Sequence, residues 1–465
     1  VGCRNINISG HLGSFSISLG DPEKPSFEKL SVDIIVDLSP EPLLQMPLKP
    51  LGYICSDLEE SSLSRVLIEV ESLVGTFEKP RFFNYDPGLC AHARNGHTAC
   101  TQCLDACPAE AISSLAERVS VDPYLCQGGG ICATVCPSGA MQYSYPAAGD
   151  LLSKVKTLLK VYRQQGGENP ELVFVAEADF EKLPLLADNQ FAIEVEELAS
   201  VGMEAWLSCL AYGASHISLV LTGSEAPVVV DALEQQVMTS SEILVAMGYP
   251  ASVIKLTALA DVSSSVEVSM PEITATAFSA AGGKRQTAYM AIDYLYSQAV
   301  NGQAQQPVPE VSLTEGAPFG AAQVSAERCT LCLSCVSACP GKALMEGQDS
   351  PQLRFIEQNC IQCGMCTLTC PEDAISISPR LLFEHDKRKT PRVLFEEEPF
   401  NCVSCGKPFA THSVIDRMTE RLKGHWMYND ERAMRRLQMC EDCRVVDVVQ
   451  DEAAMQAGLN PINRQ

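Results

Sequence analysis

The sequence predicts an α+β chain of several domains, in which two cysteine-rich modules flank an α/β parallel-sheet domain and a four-cysteine module follows. Three observations support this fold class. The chain has 465 residues, enough for about three domains. Twelve of its 22 cysteines fall into C-x2-C pairs and triplets, and seven more lie in the same cysteine-rich modules. Between the cysteine-rich stretches, short apolar runs alternate with amphipathic, helix-like ones.

Composition narrows the class of protein. Hydrophobic residues make up 46% of the chain and charged residues 20%, a globular balance. The net charge of −24 argues against binding to nucleic acid or an anionic membrane surface and favours basic faces on partner proteins. No apolar stretch reaches the roughly 18 residues that span a bilayer, and the start has no signal-peptide pattern. We therefore expect a cytoplasmic protein without a membrane span. Because the sequence does not begin with Met, it is consistent with a trimmed or partial polypeptide.

The clearest motif lies in the module expected at residues 319–380. It contains CTLCLSCVSACP and CIQCGMCTLTCP, two C-x2-C-x2-C-x3-C-P runs whose first cysteines are 31 residues apart. This is the spacing of bacterial two-cluster ferredoxins, in which three thiolates of a run hold one cluster and the fourth holds the other. Structural zinc prefers separated C-x2-C pairs, so two [4Fe–4S] clusters are favoured. The expected ligand sets are Cys329, Cys332, Cys335 and Cys370 for one cluster, and Cys360, Cys363, Cys366 and Cys339 for the other.

An imperfect copy of this ferredoxin-like pair is expected at residues 81–148. In its first run, Cys100-x2-Cys103-x3-Cys107-Pro, His97 stands where the pattern has a first thiolate. Cys90 lies ten residues before Cys100, and we favour it over His97 because thiolate is the usual cluster ligand. The set expected to hold a third [4Fe–4S] cluster is Cys90, Cys100, Cys103 and Cys136.

The second run of this degenerate module lacks one thiolate, because Gly129 occupies its second cysteine position. Cys107, Cys126 and Cys132 remain, and this pattern resembles that of [3Fe–4S] proteins such as the succinate dehydrogenase iron–sulfur subunit. We expect a [3Fe–4S] centre first. A [4Fe–4S] centre with water, a carboxylate or a histidine on its fourth iron comes second, and an empty site third.

Residues 149–300 contain no metal motif and are expected to form the α/β domain. Strands are predicted at 172–175, 191–195 and 216–223, and helices at 151–164, 203–214 and 231–249. This alternation predicts a parallel sheet with right-handed crossovers. A G-x-G-x-x-G fingerprint is missing, so a flavin is not expected. Lys284 and Arg285 follow two glycines at a helix start that has the features of an anion site, although such pairs more often mark a solvated helix start. Cys209 and His216 are expected to be structural.

A last metal signal lies in the module expected at residues 395–450. Two C-x2-C pairs are separated by 34 residues, the arrangement that a structural Zn(II) site uses. Such a zinc knuckle would hold shape and carry no electrons, whereas a rubredoxin-like iron or a fifth cluster is the alternative. His412 and His425 are expected at the surface. The expected zinc ligands are Cys402, Cys405, Cys440 and Cys443.

The remaining segments connect these modules. Residues 1–80 predict two or three strands with a turn at Asp21-Pro22, followed by a helix at 61–75. Residues 301–318 are polar and rich in Pro and Gly, which predicts a linker, and residues 451–465 a tail. Cys3 and Cys55 have no sequence partner and are interpreted as ordinary small apolar residues.

The order of these segments resembles the large 4Fe–4S polyferredoxins encoded beside bacterial formate dehydrogenases. The resemblance rests on the cluster runs and on VDLSPEP, FEKPRFFNYDPGLCAHARNG, PQLRFIEQNCIQCGMC and FNCVSCGKPF. The stretch ELASVGMEAWLSCLAYGASHISLVLTG looks like the delta-subunit domain of methyl-viologen-reducing hydrogenase, which links a hydrogenase to heterodisulfide reductase and holds a [2Fe–2S] cluster. Only Cys209 falls in this domain, so that cluster is not expected here. The resemblance implies electron transfer around formate metabolism.

These observations predict an electron-transfer subunit of an oxidoreductase complex, with no catalytic side chain. The first rival is an oxidoreductase subunit with a substrate or flavin in the α/β domain or at an open iron near Gly129. The second is a non-redox maturation factor for a formate dehydrogenase, with the four-cysteine module as its interaction surface. A bound flavin would favour the first rival, and clusters that cannot be reduced would favour the second.

Overall fold

The computed structural model describes residues 6–20, 28–57, 59–263, 270–271, 273–280, 282–303, 307–348 and 350–451. The chain divides into two compact units. The first unit comprises Val1–Pro318 with Arg380–Phe383, and the second comprises Phe319–Pro379 with Glu384–Gln465. Both mix helices and strands, so the chain is a mixed α/β protein of several domains. None of the described helices combines the length and apolar composition needed to cross a bilayer.

The first unit opens with a small antiparallel sheet in the order β1-β2-β3. A parallel pair, β4 and β5, and helix α1 follow. Phe15 and Tyr53 are buried at the centre of this subdomain. The predicted strand at 15–19 and the predicted helix are confirmed, whereas the alternating stretch 32–36 is split between two strands. The predicted turn at Asp21-Pro22 and Cys3 lie outside the described residues, and Cys55 is exposed. The elements are β1 (Ile6–His11), β2 (Ser14–Leu19), β3 (Glu28–Val32), β4 (Ile35–Asp37), β5 (Tyr53–Cys55) and α1 (Glu60–Ser72).

The degenerate module follows in the same unit. Its outermost strands pair antiparallel, and two hairpins and two short helices lie between them. Ile112, Val119 and Met141 form its apolar core together with the cysteines. The elements are β6 (Phe83–Tyr85), β7 (Ala93–Arg94), β8 (His97–Thr98), α2 (Gln102–Asp105), β9 (Ile112–Leu115), β10 (Arg118–Val121), α3 (Ile131–Val135) and β11 (Met141–Tyr143).

The middle domain is a four-stranded parallel sheet in the order β13-β12-β14-β15. The three predicted strands and the parallel pairing are confirmed, and β15 is an additional strand. Cys209 and His216 are buried, as expected. Helix α5 ends at Ala211, before the left-handed Gly213, and is therefore shorter than predicted. The elements are α4 (Ala148–Gln164), β12 (Glu171–Ala176), β13 (Gln190–Val195), α5 (Met203–Ala211), β14 (His216–Leu221), α6 (Pro227–Ala246), β15 (Ile254–Ala258) and α7 (Lys284–Gln298).

A short strand closes the first unit. β16 (Glu310–Ser312) pairs antiparallel with residues 380–382, and Phe383 stacks on Tyr296 with ring centroids 4.6 Å apart. β16 lies inside the stretch expected to be a linker. The three residues of β16 are flanked by prolines and glycine, and the strand with which it pairs is about seventy residues away in sequence. No local sequence pattern therefore predicts this strand.

The second unit repeats the frame of the degenerate module and adds a C-terminal part. β17 pairs with residues 375–379 of β20, while β18, β19 and β21 form a second sheet. A hairpin of β22 and β23 and three helices follow. The elements are β17 (Gly320–Val324), α8 (Ser334–Ala338), β18 (Leu344–Glu346), β19 (Gln352–Phe355), α9 (Met365–Thr369), β20 (Ile375–Leu382), α10 (His385–Lys389), β21 (Arg392–Glu396), β22 (Pro399–Asn401), β23 (Pro408–Thr411), α11 (His412–Leu422), α12 (Glu431–Arg436) and α13 (Glu441–Val449).

Candidate metal centres

Two cavities in the second unit are each lined by four cysteines. In each cavity, three cysteines come from one C-x2-C-x2-C loop and the fourth comes from the end of the other run. The first cavity is lined by Cys329, Cys332, Cys335 and Cys370, and the second by Cys339, Cys360, Cys363 and Cys366. This crossed arrangement is the one that the spacing predicted, and it suits two cubane clusters.

The loop conformation explains how three thiols face one cavity. The residues immediately before and after the second cysteine of each run have positive φ. In the first run these are Leu331 (φ 53°) and Leu333 (φ 59°), and in the second Gln362 (φ 54°) and Gly364 (φ 76°). Two left-handed residues around one cysteine curl the loop around its cavity. A short helix then places the fourth cysteine at the other cavity.

The electrostatics of these cavities fit a bound iron cluster. Burial, followed by the charges of Cys332 and Cys329, raises the pKa of Cys335 to about 12. A positively charged metal is what such crowded thiols need in order to ionise. The backbone N–H of Ala343 donates to Cys339 Sγ over 3.3 Å, and that of Ala374 donates to Cys370 Sγ over 3.2 Å. N–H donors to sulfur stabilise thiolates and tune cluster potentials.

Four cysteines of the degenerate module gather in the same way. Burial, followed by Cys136, Cys100, Cys132 and Cys90, raises the pKa of Cys103. Cys90 packs against the core that contains Cys136, whereas His97 is exposed on β8. The structure therefore favours Cys90 over His97 as the fourth ligand of this set.

His92 is a site residue that sequence reasoning missed. Its Nδ1 hydrogen-bonds to the carbonyl oxygen of Cys100 over 2.9 Å, and its Nε2 hydrogen-bonds to Ser114 Oγ over 2.7 Å. Its own carbonyl accepts the N–H of Cys100. The buried imidazole thus fixes the backbone of a candidate ligand. Its place inside CAHARNGH was a signal, but one that alone does not separate a positioning histidine from a ligand.

The loop at the missing thiolate has the conformation of the intact loops. Gly128 (φ 82°) and Gly130 (φ 73°) flank Gly129 as left-handed residues flank Cys332 and Cys363. A Cβ at Gly128 would lie 2.6 Å from the Phe82 ring, and one at Gly130 would lie 2.4 Å from Ser200 Cα. A Cβ at Gly129 would meet nothing within 4 Å. Glycine is therefore sterically required on both sides of the corner and not at the corner itself.

Cys107, Cys126 and Cys132 interact electrostatically with one another. Burial, followed by Cys107 and Cys126, raises the pKa of Cys132 to about 12. Burial also raises the pKa of Cys107, while N–H groups including that of Ala111 partly offset this effect. The three thiols are thus close enough to influence one another's ionisation, and no fourth thiol stands at Gly129.

Two side chains at the start of α7, Lys284 and Arg285, hydrogen-bond to the backbone of the degenerate module. Lys284 Nζ donates to the carbonyl oxygens of Ala133 (2.7 Å), Cys136 (3.2 Å) and Thr134. Arg285 Nη1 donates to the carbonyl oxygen of Pro137 over 3.3 Å. The expectation of a solvated helix start is therefore wrong for these side chains, which are half-buried. They are committed to backbone carbonyls beside Cys136.

The carboxyl edge of the parallel sheet is acidic. Burial, followed by Glu196, Asp179 and Glu225, raises the pKa of Glu197. At the end of β14, the backbone N–H groups of Thr222 and Gly223 both donate to the Glu225 carboxylate over 2.9 Å. Those N–H groups are the ones that would face a phosphate at this edge of an α/β sheet. The edge therefore disfavours a phosphate-bearing cofactor.

The four cysteines near the C-terminus form a tighter group. The ligand atoms of Cys402, Cys405, Cys440 and Cys443 all lie within 4.8 Å of one another, and the sulfurs of Cys405 and Cys440 are 3.7 Å apart. A Zn–S bond of about 2.3 Å sets neighbouring sulfurs about 3.8 Å apart in a tetrahedron. This spacing suits one metal ion, whereas a cubane needs its thiolates further apart.

Local structure preorganises this group. Cys402 and Cys405 lie in the β22–β23 hairpin, and Cys440 is the N-cap of α13. Burial opposes ionisation of Cys402, but N–H groups of Cys440, Cys405 and Ser404 outweigh it and lower the pKa of this thiol to about 6. A thiolate is thus available for a metal.

Within the second unit, the C-terminal segment that contains the four cysteines contacts residues of the first cavity. Arg417 and Arg421 of α11 both pair with Glu372, at 2.5 Å and 2.9 Å. Glu372 lines the cavity that contains Cys370. Thr411 Oγ1 also donates to the carbonyl oxygen of Thr330, in the loop of that cavity. A metal ion held by the C-terminal cysteines would therefore stabilise helices that contact a cluster loop.

Comparisons with known families support the iron–sulfur assignment. Residues 327–375 match a 4Fe-4S dicluster domain, and residues 119–142 match a 4Fe-4S binding domain. A second match to a 4Fe-4S dicluster domain covers residues 359–410 and so includes Cys402 and Cys405, which the structure places with Cys440 and Cys443 instead. No curated protein matched the chain. The chain therefore contains ferredoxin-type domains, and an iron–sulfur electron-transfer role is supported.

Proposed function

We propose that the chain is a cytoplasmic polyferredoxin that relays single electrons between redox proteins, among them a formate dehydrogenase. The observation that carries the proposal is the pair of cavities in the second unit, each lined by four cysteines in the crossed order. Iron–sulfur clusters supply one-electron chemistry when bound there. The protein holds the thiolates, donates N–H groups to their sulfurs and limits the access of water.

The proposed cofactors are three [4Fe–4S] clusters, one [3Fe–4S] cluster and one Zn(II). Cys90, Cys100, Cys103 and Cys136 hold the third [4Fe–4S] cluster. Cys107, Cys126 and Cys132 hold the [3Fe–4S] cluster, with Gly129 at its open corner. Cys402, Cys405, Cys440 and Cys443 hold the zinc ion, whose single-ion spacing supports this assignment.

The middle domain is proposed to be a docking scaffold rather than a substrate site. Its carboxyl edge presents Glu196 and Glu197, and Glu225 occupies the local N–H donors. Its α7 helix start holds the degenerate module through Lys284 and Arg285. The resemblance to a hydrogenase delta subunit supports the same role, because that subunit joins two redox enzymes.

The decisive experiment is an EPR spectrum of the anaerobically purified, oxidised full chain, combined with iron and zinc analysis. An oxidised [3Fe–4S] centre is paramagnetic and oxidised [4Fe–4S] centres are not. We expect a signal, about fifteen irons and one zinc per chain. A silent spectrum with about sixteen irons would replace the three-iron centre with a four-iron centre that has a non-cysteine ligand.

The electron-relay role itself requires a second measurement. The purified chain should be reduced when a formate dehydrogenase and formate are added, and the bleaching of cluster absorbance should report this reduction. Clusters that stay oxidised with formate dehydrogenase and also with a low-potential chemical reductant would contradict the relay. Reduction by the chemical reductant alone would retain the relay and exclude formate dehydrogenase as the donor.

A further inference from the structure

We propose that a groove on the degenerate module binds a small aromatic anion, a planar ring system that carries a phosphate or carboxylate group. The groove lies between residues 77–87 and residues 115–126 and has a volume of about 720 Å³. Small-molecule sites typically occupy roughly 300 to 1,000 Å³. The site goes beyond the proposed relay and does not depend on it.

The charge of the groove differs from that of the chain. Lys79, Arg81 and Arg118 are lining residues and no Asp or Glu is, although the chain carries a net charge of −24. The Asp122 carboxylate interacts electrostatically with Lys79 but does not line the groove. Lys79 Nζ donates to the carbonyl oxygen of Tyr124 over 2.9 Å, and Arg81 Nε donates to that of Phe83 over 3.2 Å. These bonds hold two of the cations in place at the groove. A local concentration of fixed positive charge favours an anionic ligand.

Aromatic side chains flank these cations. Phe77 and Tyr124, which both line the groove, are 54% and 63% exposed, so their rings are accessible to a ligand. The Tyr124 ring stacks on His11 with centroids 4.5 Å apart, so its position is fixed on one face. Exposed rings beside cations suit a ligand that stacks through a planar system and pairs through an anionic group.

The groove also adjoins the candidate metal centres. Cys126 lines it directly, and so does Tyr85, which packs against the same apolar core as Cys90. One wall thus contains a candidate ligand of the three-thiolate set and a neighbour of the four-thiolate set. An acidic segment of a partner protein would share the charge preference. The volume and the position beside the thiolates favour the small ligand.

The test uses the anaerobically purified full chain and flavin mononucleotide as the probe, with its fluorescence as the readout. Riboflavin has the same ring system without the phosphate. We expect riboflavin to bind about tenfold more weakly, because it lacks the charge-assisted hydrogen bonds. Lys79→Gln and Arg118→Gln should each weaken flavin mononucleotide binding about tenfold. Lys160→Gln is the matched control, because Lys160 is exposed on α4 and does not line the groove.

Three results would overturn the proposal. Absence of flavin mononucleotide binding at concentrations up to millimolar would contradict the proposal. Equal binding of riboflavin, or equal binding by the Arg118 variant, shows that the cations do not recognise the anion. Displacement of the probe by an acidic peptide at much lower concentration identifies the groove as a protein-docking surface instead. Iron content, measured on every variant, shows whether the module is folded. Because Arg118 is exposed, its substitution is the less disruptive of the two for folding.

Discussion

The intact and degenerate ferredoxin-type modules share a backbone frame and differ in what surrounds their cysteines. Each has a pair of antiparallel terminal strands, an inner hairpin and two short helices. The intact module has a cysteine at each loop corner, Cys332 and Cys363, whereas the degenerate one has Gly129. The left-handed residues around the corner are kept in all three loops.

The replacement of a corner cysteine by Gly129 shows that the loop conformation does not depend on the corner thiolate. At the degenerate corner, Gly128 fits against Phe82 and Gly130 fits against Ser200, and these contacts fix the loop from outside. The intact module uses Leu331 and Leu333 at the equivalent points and accepts their positive φ. The loop therefore lacks a thiolate at its corner, and its conformation is held by packing from outside. The degenerate site can therefore be tested as a cluster site that lacks one ligand.

The largest expected effect is the loss of a whole cluster from the intact module. Cys363→Ala removes one of four thiolates from a cavity that has no spare cysteine among its lining residues. We expect about four fewer irons per chain and a loss of electron transfer through this module. Iron analysis and reduction assays measure both. Cys55→Ala, at an exposed cysteine outside the five candidate ligand sets, is the control and should change neither quantity.

Retention of all the iron and of full electron flow by Cys363→Ala would contradict this expectation. It would mean that the crossed cysteine sets do not ligate the cluster as the cavities indicate.

The next effect is the loss of the C-terminal ion. Cys440→Ala removes one of the four candidate thiolates and keeps the backbone N–H that donates to Cys402 Sγ. We expect zinc to fall to zero and thermal stability to drop, because metal binding supplies folding free energy in such modules. Metal analysis and a thermal melt measure these changes. The iron of the degenerate module should remain.

The iron count also separates zinc from iron at this site. A variant that loses one iron instead of zinc would identify a rubredoxin-like centre.

A smaller change should convert the degenerate corner into an intact one. Gly129→Cys adds a thiol where a Cβ has open space and where φ is not positive. We expect one more iron per chain and loss of the paramagnetic oxidised signal. EPR and iron analysis report the conversion. Gly129→Ala tests the same space without a thiol and should keep the signal, and an unchanged signal in Gly129→Cys would show that the corner does not face the cluster.

Much of the candidate cluster site could be predicted from the sequence, because most ligands of one cluster lie in one short loop. The crossed sets of the intact module follow from spacing, and the alternating pattern of residues 149–300 correctly predicts a parallel sheet. Three features were not predicted. Two of them depend on contacts that are distant in sequence, since β16 pairs with residues about seventy positions away and Lys284 reaches carbonyls about 150 residues away. The third, the hydrogen bond by which His92 fixes Cys100, is local, but a histidine in the sequence does not show whether it binds a metal or positions a ligand.

The contacts of Lys284 lead to a prediction about redox potential. Its ammonium donates to the carbonyl of Cys136 and is 15% exposed, so its charge is weakly screened. A positive charge stabilises the reduced, more negative cluster, and its removal lowers the potential. We expect Lys284→Met to shift the reduction constant of that cluster about tenfold, or about 59 mV. Redox titration with EPR detection measures the shift, and Lys156→Met, which removes an ammonium that also donates to backbone carbonyls, is the control.

The smallest effect is expected at the corresponding contact of the intact module. Arg417 is 43% exposed and pairs with Glu372, whose pKa it lowers by hydrogen bonding. Arg417→Gln leaves the Glu372 carboxylate less neutralised beside the cavity of Cys370, so the reduction potential of the cluster in that cavity should fall. The change in its reduction constant should be less than about threefold, because exposed charges are screened. Raising the salt to 1 M shortens the Debye length to about 3 Å and should abolish this shift while the Lys284 shift persists. A salt-resistant shift at Arg417, equal to that at Lys284, would show that the two modules are tuned alike despite their different surroundings.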